Sequence, residues 1–317
     1  MNFFDSYFYK PNFFQKVLVY LLLPLSFIYA FFAILNTKFK KKVAFEVPII
    51  SVGNLSLGGN GKTPMCKAIA VFLQEFLPQQ GLKEAKIFIV LRGYKRKSKG
   101  LICVKLSEKI LCSVEQSGDE AMEYAFEKAI YGVIVSEDRV KGIQKALELG
   151  ANIILLDDAF SKFYIKKFDL LLESRIKPYF KFSLPSGAYR LPPNYAKKAD
   201  FIAIEDRDFV RYSYVKENQK AILIASIAKP FRLYEHFIKA RACYFFKDHH
   251  DYKKSELENL LKKHNCDTLM LTFKDFVKVK DMGFKYELIK LELELMPSLK
   301  EALINYIKSF KNFDIKG

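Results

Sequence analysis

A glycine-rich segment that follows a short apolar run constrains this chain more than any other feature. The apolar run occupies residues 47–50 (VPII), and residues 51–64 then read SVGNLSLGGNGKTP. A strand that leads into such a turn, and then into a helix over about 64–76, presents backbone N–H groups and a helix dipole to an anion. In this arrangement Lys62 neutralises charge on the outer phosphates, and the Thr63 hydroxyl holds Mg²⁺. The segment therefore predicts binding of a nucleoside triphosphate.

The phosphate-binding residues are expected in the loop and the turn that follows it. The strict pattern for such loops has glycine where Ser56 stands, so the generic match is imperfect. The alternative is an ordinary glycine-rich turn before a helix, but strand, glycines, Lys-Thr and helix occur in the order that phosphate binding requires. The expected residues are Gly58, Gly59, Asn60, Gly61, Lys62, Thr63 and Pro64.

Length and charge bound the remaining possibilities. A chain of 317 residues, half of them apolar, buries a large core and favours two domains over one. The formal net charge of +17 is typical of proteins that bind nucleic acid or anionic membranes. The lysines, however, are dispersed rather than interleaved with aromatic residues on one face, so we expect no nucleic-acid partner. The five cysteines are scattered without zinc-ligand spacing, which predicts reduced thiols in a cytosolic compartment.

The N-terminal region indicates membrane association. Val17 to Leu35 is 19 residues without a charge, just long enough to cross a bilayer. Aromatic residues precede this run and lysines follow it, as at membrane interfaces. Pro24 and Ser26 would kink a helix here. A spanning helix and a helix that lies in the interface both remain open.

The rest of the chain alternates apolar strands with helices. This order predicts a P-loop NTPase-like α/β fold with a doubly wound parallel sheet, an N-terminal membrane-associated helix and a second, smaller α/β domain. We place the helical segment at 1–42, the P-loop domain at 43–210 and the smaller domain at 211–317, with the boundary in the polar stretch 205–218. The strands expected in the first domain are 47–52, 86–91, 132–136, 152–156, 168–173 and 201–205.

Carboxylates at predicted strand and helix ends supply candidate ligands and bases. The strand 153–156 ends in Asp157 and Asp158, which suit an Mg²⁺ beside the phosphate loop. Asp119 opens a predicted helix and either caps it or acts as a base toward a hydroxyl. The residues alone leave the base open among Asp119, Asp157 and Asp158.

The chain resembles the tetraacyldisaccharide 4'-kinases of lipid A synthesis over nearly its whole length, and that family also replaces the first loop glycine with Ser or Thr. The stretches that carry the resemblance are GNLSLGGNGKTP (53–64), LRGYKR (91–96), SGDE (117–120), EDR (137–139), LLDDAF (155–160), LPSGAYRLP (184–192), ASIAKPFRL (225–233), KDHHDY (247–252) and TFKDFVK (272–278).

The resemblance implies transfer of the ATP γ-phosphate to the 4'-hydroxyl of a tetraacyldisaccharide 1-phosphate lipid, with Mg²⁺, at the cytoplasmic face of the inner membrane. It implies that Asp119 is the base, assisted by His249. Lys62, identified above from the phosphate loop, is a further candidate catalytic residue. Candidate substrate-binding residues are Arg92, Tyr94, Arg139 and Arg190, although each arginine could instead hold a loop carbonyl.

The chain departs from the family pattern at several positions. Ala159 replaces a glycine, Ser161 and Lys162 replace a Gln-His pair, and Leu191 and Phe273 replace acidic residues. A competing function is a membrane-attached P-loop NTPase that couples hydrolysis to assembly and has no sugar-lipid acceptor.

Overall fold

The computed structural model describes residues 3–38, 41–57, 61–79, 85–94, 96–227, 230–247 and 250–310. Its strands form two sheets within these residues. The first sheet contains β1 (Ile49–Gly53), β2 (Ile87–Leu91), β3 (Ile102–Leu106), β4 (Lys109–Ile110), β5 (Gly132–Val135), β6 (Ile153–Asp157), β7 (Phe168–Leu172) and β8 (Phe201–Ala203). The second contains β9 (Phe209–Tyr214), β10 (Asn218–Ala225), β11 (Ala240–Phe245), β12 (Thr268–Thr272) and β13 (Lys285–Leu295).

Helices precede, connect and follow these strands. Three of them form the N-terminal segment, and the others lie between strands or after the last one. They are α1 (Phe3–Tyr9), α2 (Phe13–Leu21), α3 (Leu23–Lys38), α4 (Lys62–Gln79), α5 (Val114–Ser117), α6 (Asp119–Ala125), α7 (Arg139–Glu148), α8 (Tyr234–Phe237), α9 (Lys254–Lys263), α10 (Phe273–Val279) and α11 (Pro297–Lys308).

The first sheet has the strand order β4-β3-β5-β2-β6-β1-β7-β8. The six strands from β5 to β8 run parallel, and β3 and β4 add an antiparallel edge. Alternate residues of β1, β2 and β6 point into two different cores. One core includes side chains of α4, α6 and α11, and the other includes side chains of α7. Both faces are therefore covered by helices, and the predicted doubly wound sheet is confirmed.

The sequence did not predict the edge hairpin β3–β4 or the strand β9. The edge hairpin β3–β4 was not expected, because Lys105 interrupts its apolar run. In the fold Lys105 is buried, and its ammonium donates to the Glu127 carbonyl at 2.6 Å. The polar stretch 205–218 was interpreted as a boundary region, but it contains β9, which pairs antiparallel with β13.

The division of the chain into domains stays a prediction. The first sheet ends with β8 at Ala203, and the second begins with β9 at Phe209. The final helix α11 then packs in the core of the first sheet, and the Tyr306 hydroxyl donates to the Ile49 carbonyl at 3.0 Å.

The N-terminal apolar run forms two helices rather than one. α2 ends at Leu21 and α3 begins at Leu23, one residue before Pro24, so the break follows the expected effect of proline. No single helix in the described part of the chain is long and apolar enough to cross a membrane. The pair Phe13–Leu21 and Leu23–Thr37 meets that criterion together, but it is bent by 55°.

Candidate active site

The predicted phosphate loop leaves β1 at the centre of the first sheet. All residues of β1 are buried, and α4 begins at Lys62. A Cβ atom at Gly53 would lie 2.5 Å from the Phe160 Cβ, so only glycine permits this approach. Gly61 has φ +83°, which favours glycine again. The predicted ligands Gly58, Gly59 and Asn60 lie outside the described residues.

Lys62 faces the carboxylates at the end of the neighbouring strand β6. Its Nζ lies 3.1 Å from the Asn54 Oδ1 and 3.6 Å from the Asp158 Oδ1. This proximity follows from the register, because Val52 of β1 pairs with Asp157 of β6. Thr63 and Pro64 occupy the first turn of α4 beside this cation. The cation and the carboxylates predicted from sequence therefore lie together at one edge of the sheet.

The two adjacent aspartates have different surroundings. Asp157 is buried, and the Tyr124 hydroxyl donates to its Oδ2 at 3.0 Å. Its Oδ1 is buried without a hydrogen-bond partner, and burial raises the pKa of this carboxyl to about 6 although Lys62 opposes the shift. Asp158 is partly exposed. Burial raises its pKa too, but Lys62 and Arg190 outweigh that effect and hold the pKa below its ordinary value.

The carboxylate at Asp157 fits a divalent cation. Its unpartnered Oδ1 is an oxygen ligand of the kind that Mg²⁺ prefers, and the Tyr124 hydroxyl connects the same carboxylate with the Thr63 side chain. Within the described residues, no group of three or more His, Cys, Asp or Glu side chains could hold a metal. Mg²⁺ commonly takes one or two protein carboxylates and completes its shell with phosphate oxygens and water.

The four predicted substrate-binding residues fall into two groups. Arg92 and Tyr94 are exposed in the loop after β2, and Arg190 donates from Nη1 to the Asp158 Oδ2 at 2.6 Å. Arg139 is only 3% exposed, and it donates to the carbonyls of Ser136 at 2.9 Å and Asp157 at 3.0 Å. This geometry opposes the substrate-binding role predicted for Arg139 and matches the alternative, an arginine that holds loop carbonyls.

The candidate base lies where the second sheet meets the first. Asp119 is the first residue of α6, and its Oδ2 lies 3.4 Å from the Nζ of Lys278 on α10. The next residue, Glu120, has a pKa raised to about 7 by burial and by the charge of Asp157. His249 lies outside the described residues. The neighbouring His250 ring is 3.0 Å from the Glu256 Oε2, within the second region.

Two cations from the second sheet were missed by the sequence analysis. Lys278 approaches Asp119, and the Nη2 of Arg211 lies 2.7 Å from the position that a Cβ on Gly61 would take. Lys278 belongs to the stretch TFKDFVK that supported the resemblance, but no role was assigned to it. Arg211 lies in β9, the strand that was not expected. Arg211 forms an ion pair with Glu205 at 3.2 Å. No sequence pattern around these two residues indicates that Arg211 lies near the phosphate loop.

The N-terminal helices pack beside the phosphate loop. The Tyr9 hydroxyl donates to the Leu57 carbonyl at 2.9 Å, and the Ser186 amide donates to the Ser26 Oγ at 2.9 Å. The segment around Ser186 also reaches the loop, because the Leu57 amide donates to the Ala188 carbonyl at 2.8 Å. The apolar N-terminal segment is thus attached directly to the candidate site.

The fold and the site are those of the P-loop class of α/β proteins, with a strand–loop–helix whose lysine faces acidic residues at the next strand end. The sequence model of the tetraacyldisaccharide-1-P 4'-kinase family matches residues 18–220 and 211–308. The chain belongs to this family.

Individual relatives agree with this assignment. The tetraacyldisaccharide 4'-kinase of Campylobacter jejuni serotype O:2 is 72% identical over 307 residues, which cover 97% of this chain and 96% of that protein. The tetraacyldisaccharide 4'-kinase of Helicobacter acinonychis is 41% identical over 310 residues, with the same coverage of 97% and 96%. The crystal structure of the "apo" form of LpxK from Aquifex aeolicus in complex with ATP has a TM-score of 0.74 and 25% identity, and it matches 92% of this chain and 99% of that one.

Proposed function

We propose that this protein is a lipid kinase that transfers the γ-phosphate of ATP to the 4'-hydroxyl of a tetraacyldisaccharide 1-phosphate in lipid A biosynthesis. The observation that carries the proposal is the meeting of Lys62, Asp157 and Asp158 at the end of β1 and β6, with Asp119 in the adjoining helix. Family membership supplies the identity of the acceptor.

In this reaction the acceptor oxygen forms a bond to the γ-phosphorus while the bond to the ADP oxygen breaks. Lys62 balances charge on the phosphates, and the loop N–H groups orient them. Asp119 accepts the proton of the acceptor hydroxyl, with His249 as its partner. Asp157 and Thr63 would hold Mg²⁺, which neutralises phosphate charge when bound, and Asp158 is a further candidate ligand. Arg92, Tyr94 and Arg190 remain candidates for contact with the acceptor.

The N-terminal helices provide the surface for a lipid acceptor. α2 and α3 expose apolar side chains to solvent, while Tyr9 of α1 and Ser26 of α3 hydrogen-bond to Leu57 and Ser186 beside the phosphate loop. An exposed apolar patch of this kind marks a site of membrane or protein interaction. This surface supports binding at the cytoplasmic face of the inner membrane. The exposed residues are Phe13, Phe14, Val17, Leu18, Tyr20, Leu21, Leu25, Phe27, Ile28, Tyr29, Phe31 and Phe32.

The decisive experiment incubates the purified protein with ATP, Mg²⁺ and tetraacyldisaccharide 1-phosphate and measures the mass of the lipid. We expect the addition of one phosphate, and no addition with Lys62→Ala. Hydrolysis of ATP at an equal rate with and without the lipid, and no phosphorylated lipid, would favour the competing NTPase function.

The candidate base has its own test. Asp119→Asn removes the proton acceptor without changing the side-chain size, so we expect kcat to fall by about a hundredfold while ATP affinity is retained. If His249 acts with Asp119 as one unit, the double variant with His249→Ala is little worse than Asp119→Asn alone. A larger loss from His250→Ala than from His249→Ala would contradict this pairing.

The membrane surface is tested by flotation with vesicles that contain anionic phospholipid. We expect the double variant Phe27→Asp, Phe31→Asp to lose vesicle binding, because both side chains lie on the exposed face of α3. Ile238→Asp is the matched control, since Ile238 is 81% exposed but belongs to the second region. Equal retention of both variants on vesicles would place the membrane-binding surface elsewhere.

A further inference from the structure

Lys278 on α10 is a buried lysine whose side chain contacts residues packed on both sheets. Its side chain is only 7% exposed, although the residue carries a full charge on a flexible stem. Its Nζ donates to the Ser226 Oγ at 2.8 Å and to the His250 carbonyl at 3.2 Å, and it lies 3.4 Å from the Asp119 Oδ2. Burying an ammonium is unfavourable unless it is paired and hydrogen-bonded. These three contacts are therefore the interactions that compensate for the burial of the Lys278 charge.

The nearest carboxylate on its own helix has other donors. Asp275 is completely buried, and its Oδ1 accepts from the Ser226 amide at 3.0 Å, the Ser226 hydroxyl at 2.5 Å and the Tyr252 hydroxyl at 3.0 Å. The Thr272 hydroxyl donates to its Oδ2 at 2.7 Å. The Lys278 Nζ is 3.9 Å from the Asp275 Oδ1 and 3.4 Å from the Asp119 Oδ2, so it lies nearer to Asp119 at the start of α6.

Packing holds Lys278 against Asp119. The helices that carry them, α10 and α6, are neighbours across the boundary between the two sheets. The ring of Phe126, directly after α6, contacts the rings of Phe273 and Phe276 on α10 at centroid distances of 5.8 and 6.3 Å. This apolar contact fixes the separation of the two helices, so the charge pair is part of a packed interface rather than a mobile surface pair.

The same ammonium also fixes the chain beside the predicted histidine partner. Its hydrogen bond to the His250 carbonyl anchors the backbone at the residue that follows His249. One side chain thus contacts both the candidate base at the start of α6 and the backbone carbonyl of His250. Ser226 lies at the end of β10 and joins the same group of contacts.

We propose that Lys278 is a positioning residue for phosphoryl transfer: it holds the Asp119 carboxylate in a fixed direction and ties it to the backbone at His250, the residue that follows His249 in sequence. This inference rests on the proposed kinase function. Lys278 acts through Asp119 and the backbone at His250, which are the groups it contacts beside the candidate base. Its removal should therefore reduce the chemical step more than the binding of nucleotide.

The test compares Lys278→Met with Lys285→Met in the full-length protein. Lys285 is a matched control because it also forms an ion pair with an aspartate, Asp267, at 3.0 Å, but it is exposed and begins β13 rather than lying on α10. We expect Lys278→Met to lower kcat about thirtyfold, with the KM for ATP changed less than about threefold, and Lys285→Met to behave as wild type. Lys278→Arg, which keeps the charge, should recover most of the loss.

A double-mutant cycle separates positioning from general support of the fold. If Lys278 acts through Asp119, then Lys278→Met should cause little further loss of kcat in the Asp119→Asn background. Multiplicative losses, or kcat within twofold of wild type in Lys278→Met, would overturn the proposal. Lys278→Gln, which keeps a donor for Ser226 and the His250 carbonyl, replaces Lys278→Met in the cycle if the latter does not fold. If wild type itself phosphorylates no lipid, the kinase function fails instead, and the two failures are thereby distinguished.

Discussion

Two buried aspartates, Asp157 beside the first sheet and Asp275 beside the second, lie near the carboxyl ends of parallel strands. They differ in the number of hydrogen-bond donors that the protein supplies to their oxygens. Asp157 at the end of β6 keeps one oxygen without a partner, and its pKa is raised to about 6 by burial. Asp275, just after β12, accepts hydrogen bonds from an amide and three hydroxyls. A buried carboxylate with every partner supplied by the protein stabilises the fold, whereas one with an open oxygen is available to a ligand.

The strongest test of the open site is Lys62→Ala. Lys62 places its ammonium 3.6 Å from Asp158 beside the phosphate loop, so its loss should remove charge stabilisation of the transition state. We expect kcat for lipid phosphorylation to fall by about a thousandfold or more, with an unchanged thermal unfolding temperature. Near-normal turnover would show that the loop is not the phosphate site.

The next test exchanges the open carboxylate itself. Asp157→Asn should lower kcat by about a hundredfold, because an amide lacks the negative charge that the proposed Mg²⁺ site requires. It should not lower stability at neutral pH, since the folded pKa of Asp157 is raised and ionisation above pH 6 therefore works against folding. Steady-state kinetics and thermal unfolding of the same preparation measure both effects. A large loss of stability would mean that Asp157 resembles Asp275.

The opposite result is expected for the closed carboxylate. Asp275→Asn weakens hydrogen bonds to a charged acceptor and introduces an amide where only donors point, so unfolding should become easier by about 2 kcal/mol. The affinity for ATP should stay within about twofold of wild type, because the phosphate loop belongs to the first sheet. Denaturant unfolding and nucleotide titration provide these values. A stable protein with weakened nucleotide binding would contradict the assignment of roles.

The smallest effect concerns Glu120, whose pKa is raised to about 7 by burial and by Asp157, against Lys274 and Lys62. Its folded pKa lies above its unfolded value, so the stability it contributes is present at low pH and is lost as pH rises through about 7. Glu120→Gln should therefore be more stable than wild type by about 1 kcal/mol at pH 8 and should show little difference at pH 4. Thermal unfolding across this range is the measurement, and an equal difference at both pH values would exclude the mechanism.

The sequence predicted the parts of the fold whose signals are local. The buried strands of the first sheet have continuous apolar runs, and the glycine-rich loop indicates a helix after it. The strands and the helix that begins at Lys62 were therefore predicted to within a few residues. The strand β9 was missed because it is short, it lies in a stretch rich in charged residues, and Arg211 and Ser213 interrupt its apolar residues. Its cross-strand partners explain its stability, since the hydroxyls of Tyr212 and Tyr214 donate to Glu294 and Glu292 at 3.2 and 2.7 Å.

The candidate site was predictable to the same extent. Lys62, Asp157 and Asp158 follow from strand ends that neighbour each other in a parallel sheet. The sequence could not predict the role of Arg139. An arginine that binds backbone carbonyls and an arginine that binds a substrate can occur in the same sequence pattern. Lys278 and Arg211 reach the first sheet only through the packing of the second, which is information that no local pattern contains.

The return of α11 to the first sheet has a consequence for synthesis on the ribosome. Leu299, Leu303 and Ile307 belong to the same core as Ile50 and Val52 of the central strand β1, which is translated some 250 residues earlier. One apolar face of the first sheet is therefore covered fully only after α11 has left the ribosome. Until then this face is exposed in the nascent chain, where it favours aggregation. The core on this face of the first sheet is therefore complete only after the residues of α11 have been synthesised.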